Sequence, residues 1–258
     1  MPPRNVNDAE ATDDEPPMSP ALLELQQLSC GYGAVSAVEG LDLAVDAGAL
    51  HALAGPNGAG KTSTLLAIMG HVALSGGRIL FAGEDIGRAR PADRVDLGIA
   101  IVPEGRRLFT DLSVRENLVV GGYRRPRAAE RRNRERVFAI FPRLAERAGQ
   151  IAGSLSGGEQ QMLAFGRALM VEPKLLLVDE LSLGLMPAAV AQFIAVLISL
   201  KAEGVSILLV EQNTERVLRI ADALTVLVSG RRVFGASGET CRSDPRLFQR
   251  YLGETELQ

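Results

Sequence analysis

The sequence predicts an α/β fold in which a buried sheet is preceded by a small antiparallel sheet and interrupted by a helical lobe. Three observations lead there. Short continuous apolar runs such as ALHALAG (residues 49–55) and LLLV (175–178) have the texture of strands covered on both faces. A glycine-rich loop follows the first of them and opens directly into a helical pattern. Residues 114–148 then carry helical rather than strand texture. A chain of 258 residues, 47% hydrophobic and 23% charged, with mean hydropathy +0.11, has enough apolar surface for such a core.

Taken in order, residues 1–20 hold five acids (Asp8, Glu10, Asp13, Asp14, Glu15), one arginine and five prolines. With no apolar periodicity, this stretch cannot offset the entropy of ordering and is expected to be a disordered acidic tail. Residues 22–46 alternate apolar and polar in LLELQQLSCGY and AVEGLDLAV, the period of a half-buried antiparallel sheet. The strand at 49–55 and a helix beginning after Gly60 follow. Further strands are expected at 77–82, 99–102, 175–178, 206–210 and 223–228, and a helix at 159–170. The helical lobe is expected over about 88–165, inserted in a domain spanning 21–258. No repeat of solenoid or propeller period is visible.

Charge and composition exclude several function classes. The tail carries −4 against a whole-chain charge of −3, which leaves the remainder near neutral and without the basic surface of a general DNA or RNA binder. Nine arginines and three glutamates between 124 and 147 read as the solvated face of amphipathic helices, so no nucleic-acid partner is expected. No apolar stretch reaches the roughly 18–20 residues of a membrane span, and no charged-then-apolar leader opens the sequence. Cys30 and Cys241 have no metal-ligand spacing and fit a reducing compartment. The expectation is a cytoplasmic protein that meets a membrane only through a partner.

Residues 55–62, Gly-Pro-Asn-Gly-Ala-Gly-Lys-Thr, match G-x-x-x-x-G-K-[ST] between an expected strand and an expected helix, the context that motif requires. Glycines let backbone N–H groups curl around phosphate oxygens, and the helix N-terminus adds positive dipole at the same place. Gly55, Pro56, Asn57, Gly58, Ala59, Gly60, Lys61, Thr62 and Ser63 are therefore the expected nucleotide-binding residues. Lys61 would reach the β- and γ-phosphates and Thr62 would ligate Mg²⁺. A chance match over a chain this long is on the order of one in a hundred at average residue frequencies. Lysine scarcity lowers it further, since only Lys61, Lys174 and Lys201 occur against 25 arginines.

Asp179 and Glu180 follow the apolar run 175–178, at the strand end where open α/β sheets place ligands. Asp179 is suited to hold Mg²⁺, and Glu180 to polarise or deprotonate the water that attacks a γ-phosphate. Residues 155–161, Leu-Ser-Gly-Gly-Glu-Gln-Gln, open the expected helix at 159–170 and form a second anion-seeking N-terminus. Ser156 is at the same time an expected N-cap, with Glu159 or Gln160 nearby.

With LSGGEQQ placed shortly before the strand that ends in Asp-Glu, the chain resembles the nucleotide-binding subunits of ABC transporters. The resemblance implies a P-loop NTPase core of the ABC ATPase type, with the antiparallel subdomain and inserted helical lobe already described. It also implies a head-to-tail pair of subunits in which Ser156, Gly157 and Gly158 of one close over the ATP bound at the phosphate loop of the other. Tyr32 would stack on adenine. The strings AIVPEGRRLF, LSVRENLVVGG, FPRLAER, DELSLGL, LLVEQN and YLG are similar to the second ATPase of branched-chain amino acid importers. That likeness implies ATP and Mg²⁺ as cofactors. It implies as partners a sibling ATPase or a second copy, two permease subunits and, indirectly, a solute-binding protein, with the chain peripheral on the inner membrane face. Urea importers carry a similar subunit, usually with glutamine in place of Glu104.

The family pattern also places Glu104 near Mg²⁺ and the attacking water, where most relatives have glutamine, and Gln212 at the γ-phosphate, where most have histidine. Both substitutions are usual in this subtype. Leu181 replaces a customary proline and Met186 a common aspartate. A small-molecule kinase is disfavoured by LSGGEQQ before Asp179-Glu180. Repair and translation relatives need a coiled-coil insertion or a second phosphate loop, and an iron–sulfur assembly component is disfavoured by VPEGRR and VEQN.

Overall fold

The computed structural model describes residues 21–182, 184–212, 217–244 and 246; the acidic tail, Leu183 and the YLG string near the C-terminus lie outside them. Strands β1 (Ala21–Tyr32), β2 (Val35–Asp46), β4 (Leu74–Phe81) and β5 (Glu84–Asp85) form an antiparallel sheet in the order β2-β1-β4-β5. A second sheet runs β10 (Arg231–Ser237), β9 (Ala223–Val228), β3 (Leu50–Ala54), β8 (Ser206–Glu211), β7 (Leu175–Asp179), β6 (Ile99–Val102). Its neighbours are parallel except for β10, which pairs antiparallel with β9.

The continuous apolar runs are explained by burial on both faces of this second sheet. In β7, Leu175 and Leu177 join a core shared with the antiparallel sheet and helix α1 (Lys61–Ile68), while Leu176 and Val178 join the core beneath the other helices. β8 divides in the same way, with Ile207 and Leu209 on one side and Leu208 and Val210 on the other. Period-two alternation therefore persists, but both faces are apolar because both are covered.

The helices α3 (Val114–Gly121), α4 (Arg127–Ile140), α5 (Pro142–Glu146), α6 (Gly157–Leu169) and α7 (Pro187–Ala202) cover the second core. Three fully buried rings tie them together. Phe141, closing α4, meets Phe165 of α6 edge-on at 6.4 Å and Phe193 of α7 at 6.0 Å, and Phe165 and Phe193 lie 5.0 Å apart. Within the span 88–165 expected for the helical lobe, β6 instead belongs to the core sheet, packed by α2 (Pro91–Leu97); helices run on from α3. The strand expected at 77–82 is β4 of the antiparallel sheet.

Phe165→Ala should destabilise the protein by about 3–5 kcal/mol, since it opens a cavity at the centre of the ring cluster. Ile198→Ala, at an exposed position on α7, should change stability by under about 0.5 kcal/mol. Urea midpoints of the two variants measure the contrast; equal midpoints would remove the ring cluster from its organising place.

Candidate active site

Strand register brings the expected site residues to one edge of the parallel sheet. Ala54, ending β3, pairs with Glu211 of β8, and Asp179, ending β7, pairs with Val210. The Val102–Val178 pairing sets the ends of β6 and β7 side by side, so Glu104 and Glu180 leave the same edge. The loop from β3 into α1 needs glycine for steric reasons at two places. A Cβ on Gly55 would stand 2.2 Å from the Leu227 carbonyl oxygen, and one on Gly60, at φ +101°, would stand 2.5 Å from that of Ala37.

A cavity of about 430 Å³ results, lined by Ala37, the loop residues Asn57 to Ser63, Glu104, Glu180 and Gln212. The Lys61 ammonium is buried and donates to the Gly55 carbonyl at 2.8 Å and the Pro56 carbonyl at 3.0 Å. Burial lowers its pKa, against the pull of Glu180, Asp179, Glu104 and Glu211. Asp179 is 2% exposed and accepts from the Thr62 hydroxyl at 3.1 Å. Burial pushes its carboxyl up to about 6, with Glu104 and Glu180 adding to the rise and Thr62 and Lys61 opposing it. A hydroxyl and a buried carboxylate form an oxygen donor pair of the kind magnesium takes.

Glu180 stands in a left-handed conformation, φ +49°, which is costly for a residue with a Cβ and is characteristic of functional turns. Its backbone N–H donates to the Val210 carbonyl at 3.0 Å, and its side chain accepts from Gln212 Nε2 at 2.8 Å. The same Gln212 nitrogen also donates to Asn57, so Gln212 bridges the phosphate loop and Glu180. Neither histidine shares this place: His51 lies buried on β3 beside Thr225 at 2.9 Å, and burial takes it down to about 4.

Not every expected residue lines this cavity. Tyr32, 54% exposed at the end of β1, does not, and neither do Ser156, Gly157 and Gly158. The last three open α6, where Ser156 and Glu159 form a reciprocal capping box: the Glu159 N–H donates to the serine oxygen at 3.4 Å and Glu159 accepts from the Ser156 N–H at 2.9 Å. Arg106 donates to Gln160 of the same helix at 2.8 Å, and Arg167 donates to the Arg107 carbonyl at 2.6 Å. The loop carrying Glu104 is thereby tied to the helix that opens at Ser156.

Two residues of the site carry no signal in the sequence. Ala37 lines the cavity from β2. Glu211 is buried and accepts from the backbone and hydroxyl of Ser182 at 2.8 and 2.9 Å. Leu181, in the place of a customary proline, is 2% exposed and sits in the core with Val190, Val217 and Leu218. Apolar burial thus anchors the loop where proline would have restricted it.

The ABC transporter family model matches residues 38–182, over half the chain. The chain belongs to that family and is an ATP-binding, ATP-hydrolysing cassette. It is 41% identical, over 232 residues, to the high-affinity branched-chain amino acid transport ATP-binding protein BraG of Pseudomonas aeruginosa, a match covering 90% of this chain and all of the relative. It is also 31% identical to BraF of the same organism, another high-affinity branched-chain amino acid transport ATP-binding protein, over 92% of this chain and all of that one. A crystal structure of a nucleotide-free ATP-binding cassette from an ABC transporter superimposes with TM-score 0.80 at 26% identity, covering 91% of this chain and all of the other.

An acid with a folded pKa above its unfolded value holds its proton more tightly when folded. The stability Asp179 contributes is therefore complete below about pH 4 and is lost as pH rises through about 6. In chelator and without nucleotide, Asp179→Asn should raise the melting temperature at pH 7 and leave it nearly unchanged near pH 4. A substitution effect independent of pH would contradict the assignment.

Proposed function

We propose that the chain is the ATP-hydrolysing subunit of an importer for branched-chain amino acids. The observation that carries this reading is 41% identity across the whole length of BraG. The likeness to BraF supports a sibling ATPase as partner rather than a second copy. Among the described residues no helix is long and apolar enough to cross a membrane, so permease subunits would hold the chain at the inner face. A groove of about 200 Å³ between sheet and lobe, rimmed by Pro103, Arg106 and the exposed Tyr123, adjoins the Glu104 loop and is suited to receive them.

In this reading the amides of residues 55–63 hold the phosphates of ATP, and Tyr32 would stack on the base. Lys61 exchanges its two carbonyl partners for phosphate oxygens. Thr62 and Asp179 would hold Mg²⁺, with Glu104 nearby; bound there, it would supply neutralising charge to the phosphates. Glu180, steadied by Gln212, orients and deprotonates the attacking water. Gln212 hydrogen-bonds the γ-phosphate but cannot become cationic as a histidine can. Ser156, Gly157 and Gly158 serve the nucleotide of the partner. ATP binding closes the pair and hydrolysis reopens it. Glu104 adds negative charge beside a polyanion, which makes this half-site the slower of an asymmetric pair.

Glu180→Gln in the assembled complex should retain ATP while hydrolysis falls by on the order of 10²-fold or more. Radiolabelled ATP retention and phosphate release measure the two together. Wild-type turnover would take the base role from Glu180.

A further inference from the structure

Glu211 is a buried carboxyl beside the site with no part in the ATP chemistry proposed for Lys61, Asp179 and Glu180. It is 6% exposed, ends β8, and shares an apolar pocket with Leu181, Val190, Ile194, Leu209, Val217 and Ile220. No cation lines that pocket among the described residues. Burial raises the pKa of the carboxyl, and the donors from Ser182 oppose the rise. A carboxylate in such surroundings is a costly way to stabilise a fold, because an apolar side chain would fill the space without desolvating a charge.

What the carboxylate supplies is geometry. Its two oxygens take different donors from one residue, Oε1 the Ser182 N–H at 2.8 Å and Oε2 the Ser182 hydroxyl at 2.9 Å. Ser182 lies two residues beyond Glu180, across a leucine anchored in the core. The Val210 carbonyl meanwhile accepts from the Glu180 N–H, and Gln212 donates to the Glu180 side chain. Consecutive residues 210, 211 and 212 thus hold the turn 180–182 at three points, and the turn includes the left-handed Glu180.

We infer that Glu211 is a positioning residue for ATP hydrolysis: by clamping Ser182 with both carboxylate oxygens it keeps the 180–182 turn in the left-handed form that aims Glu180 into the cavity. This rests on Glu180 acting as the base. Without the clamp, the turn relaxes toward an ordinary backbone conformation and the Glu180 carboxylate leaves its place. Misplacement of about 1 Å at a reacting group costs up to about 10²-fold in rate. Nucleotide affinity, carried by residues 55–63, does not depend on the clamp.

The test is kcat and ATP affinity of the full chain in its complex, for Glu211→Ala, Glu211→Gln and Glu180→Gln, with melting temperatures alongside. Glu211→Ala should lower kcat by about tenfold or more and leave ATP affinity within about twofold. Glu211→Gln, whose amide can accept from the Ser182 N–H and donate to its oxygen, should restore most of the rate. Adding Glu211→Ala to Glu180→Gln should cost nothing further. An unchanged kcat in Glu211→Ala overturns the inference. So does a parallel loss of kcat, affinity and melting temperature that glutamine fails to restore. Wild-type turnover in Glu180→Gln would instead overturn the reading beneath it.

Discussion

The structure turns on a charge problem at the carboxyl edge of a parallel sheet. β3, β6, β7 and β8 all finish there, and they deliver one buried ammonium, Lys61, together with Glu104, Asp179, Glu180 and Glu211. Burial penalises the charges of Lys61, Asp179 and Glu211. The chain meets them with its own groups: carbonyls of the loop for Lys61, a threonine hydroxyl for Asp179, a serine for Glu211, a glutamine for Glu180. Triphosphate and magnesium would supply Lys61 and Asp179 with full counter-charges, so the same crowding that costs stability favours binding.

The apolar architecture keeps this arrangement in register. Both faces of β7 and β8 are packed, which leaves those strands little freedom to slip, and the ring cluster of Phe141, Phe165 and Phe193 seats α4, α6 and α7 on one face. Arg106 and Arg167 then tie the loop after Glu104 to α6. That loop holds Gly105, Arg106 and Arg107 successively at positive φ, two of them residues for which the conformation is strained. A change at the Glu104 side of the cavity therefore has a hydrogen-bonded path to the helix that begins at Ser156.

Much of this was legible in the residues. The phosphate loop, Asp179-Glu180 and the buried strands are local patterns, in which spacing alone fixes geometry. Ser156 and Glu159 were legible as a helix start for the same reason, and the structure shows the reciprocal cap. What escaped was non-local. Glu211 acquires its place only because β8 lies beside β7, and Ala37 only because β2 passes over Gly60. β10 is an edge strand whose RRVFGAS lacks a fully buried face, and α7 is apolar on more than one side, so neither has clear periodicity. Leu181 looked like the loss of a proline; its role appears only with the pocket it fills.

The buried Lys61 ammonium, resting on the Gly55 and Pro56 carbonyls, would exchange them for phosphate oxygens. Calorimetric titration of Mg²⁺-ATP into the full chain and into Lys61→Ala tests it directly. Affinity should fall by on the order of 10²-fold or more, because a buried charge-assisted contact is lost. Equal affinity in the two proteins would show that the cavity does not bind nucleotide through this residue.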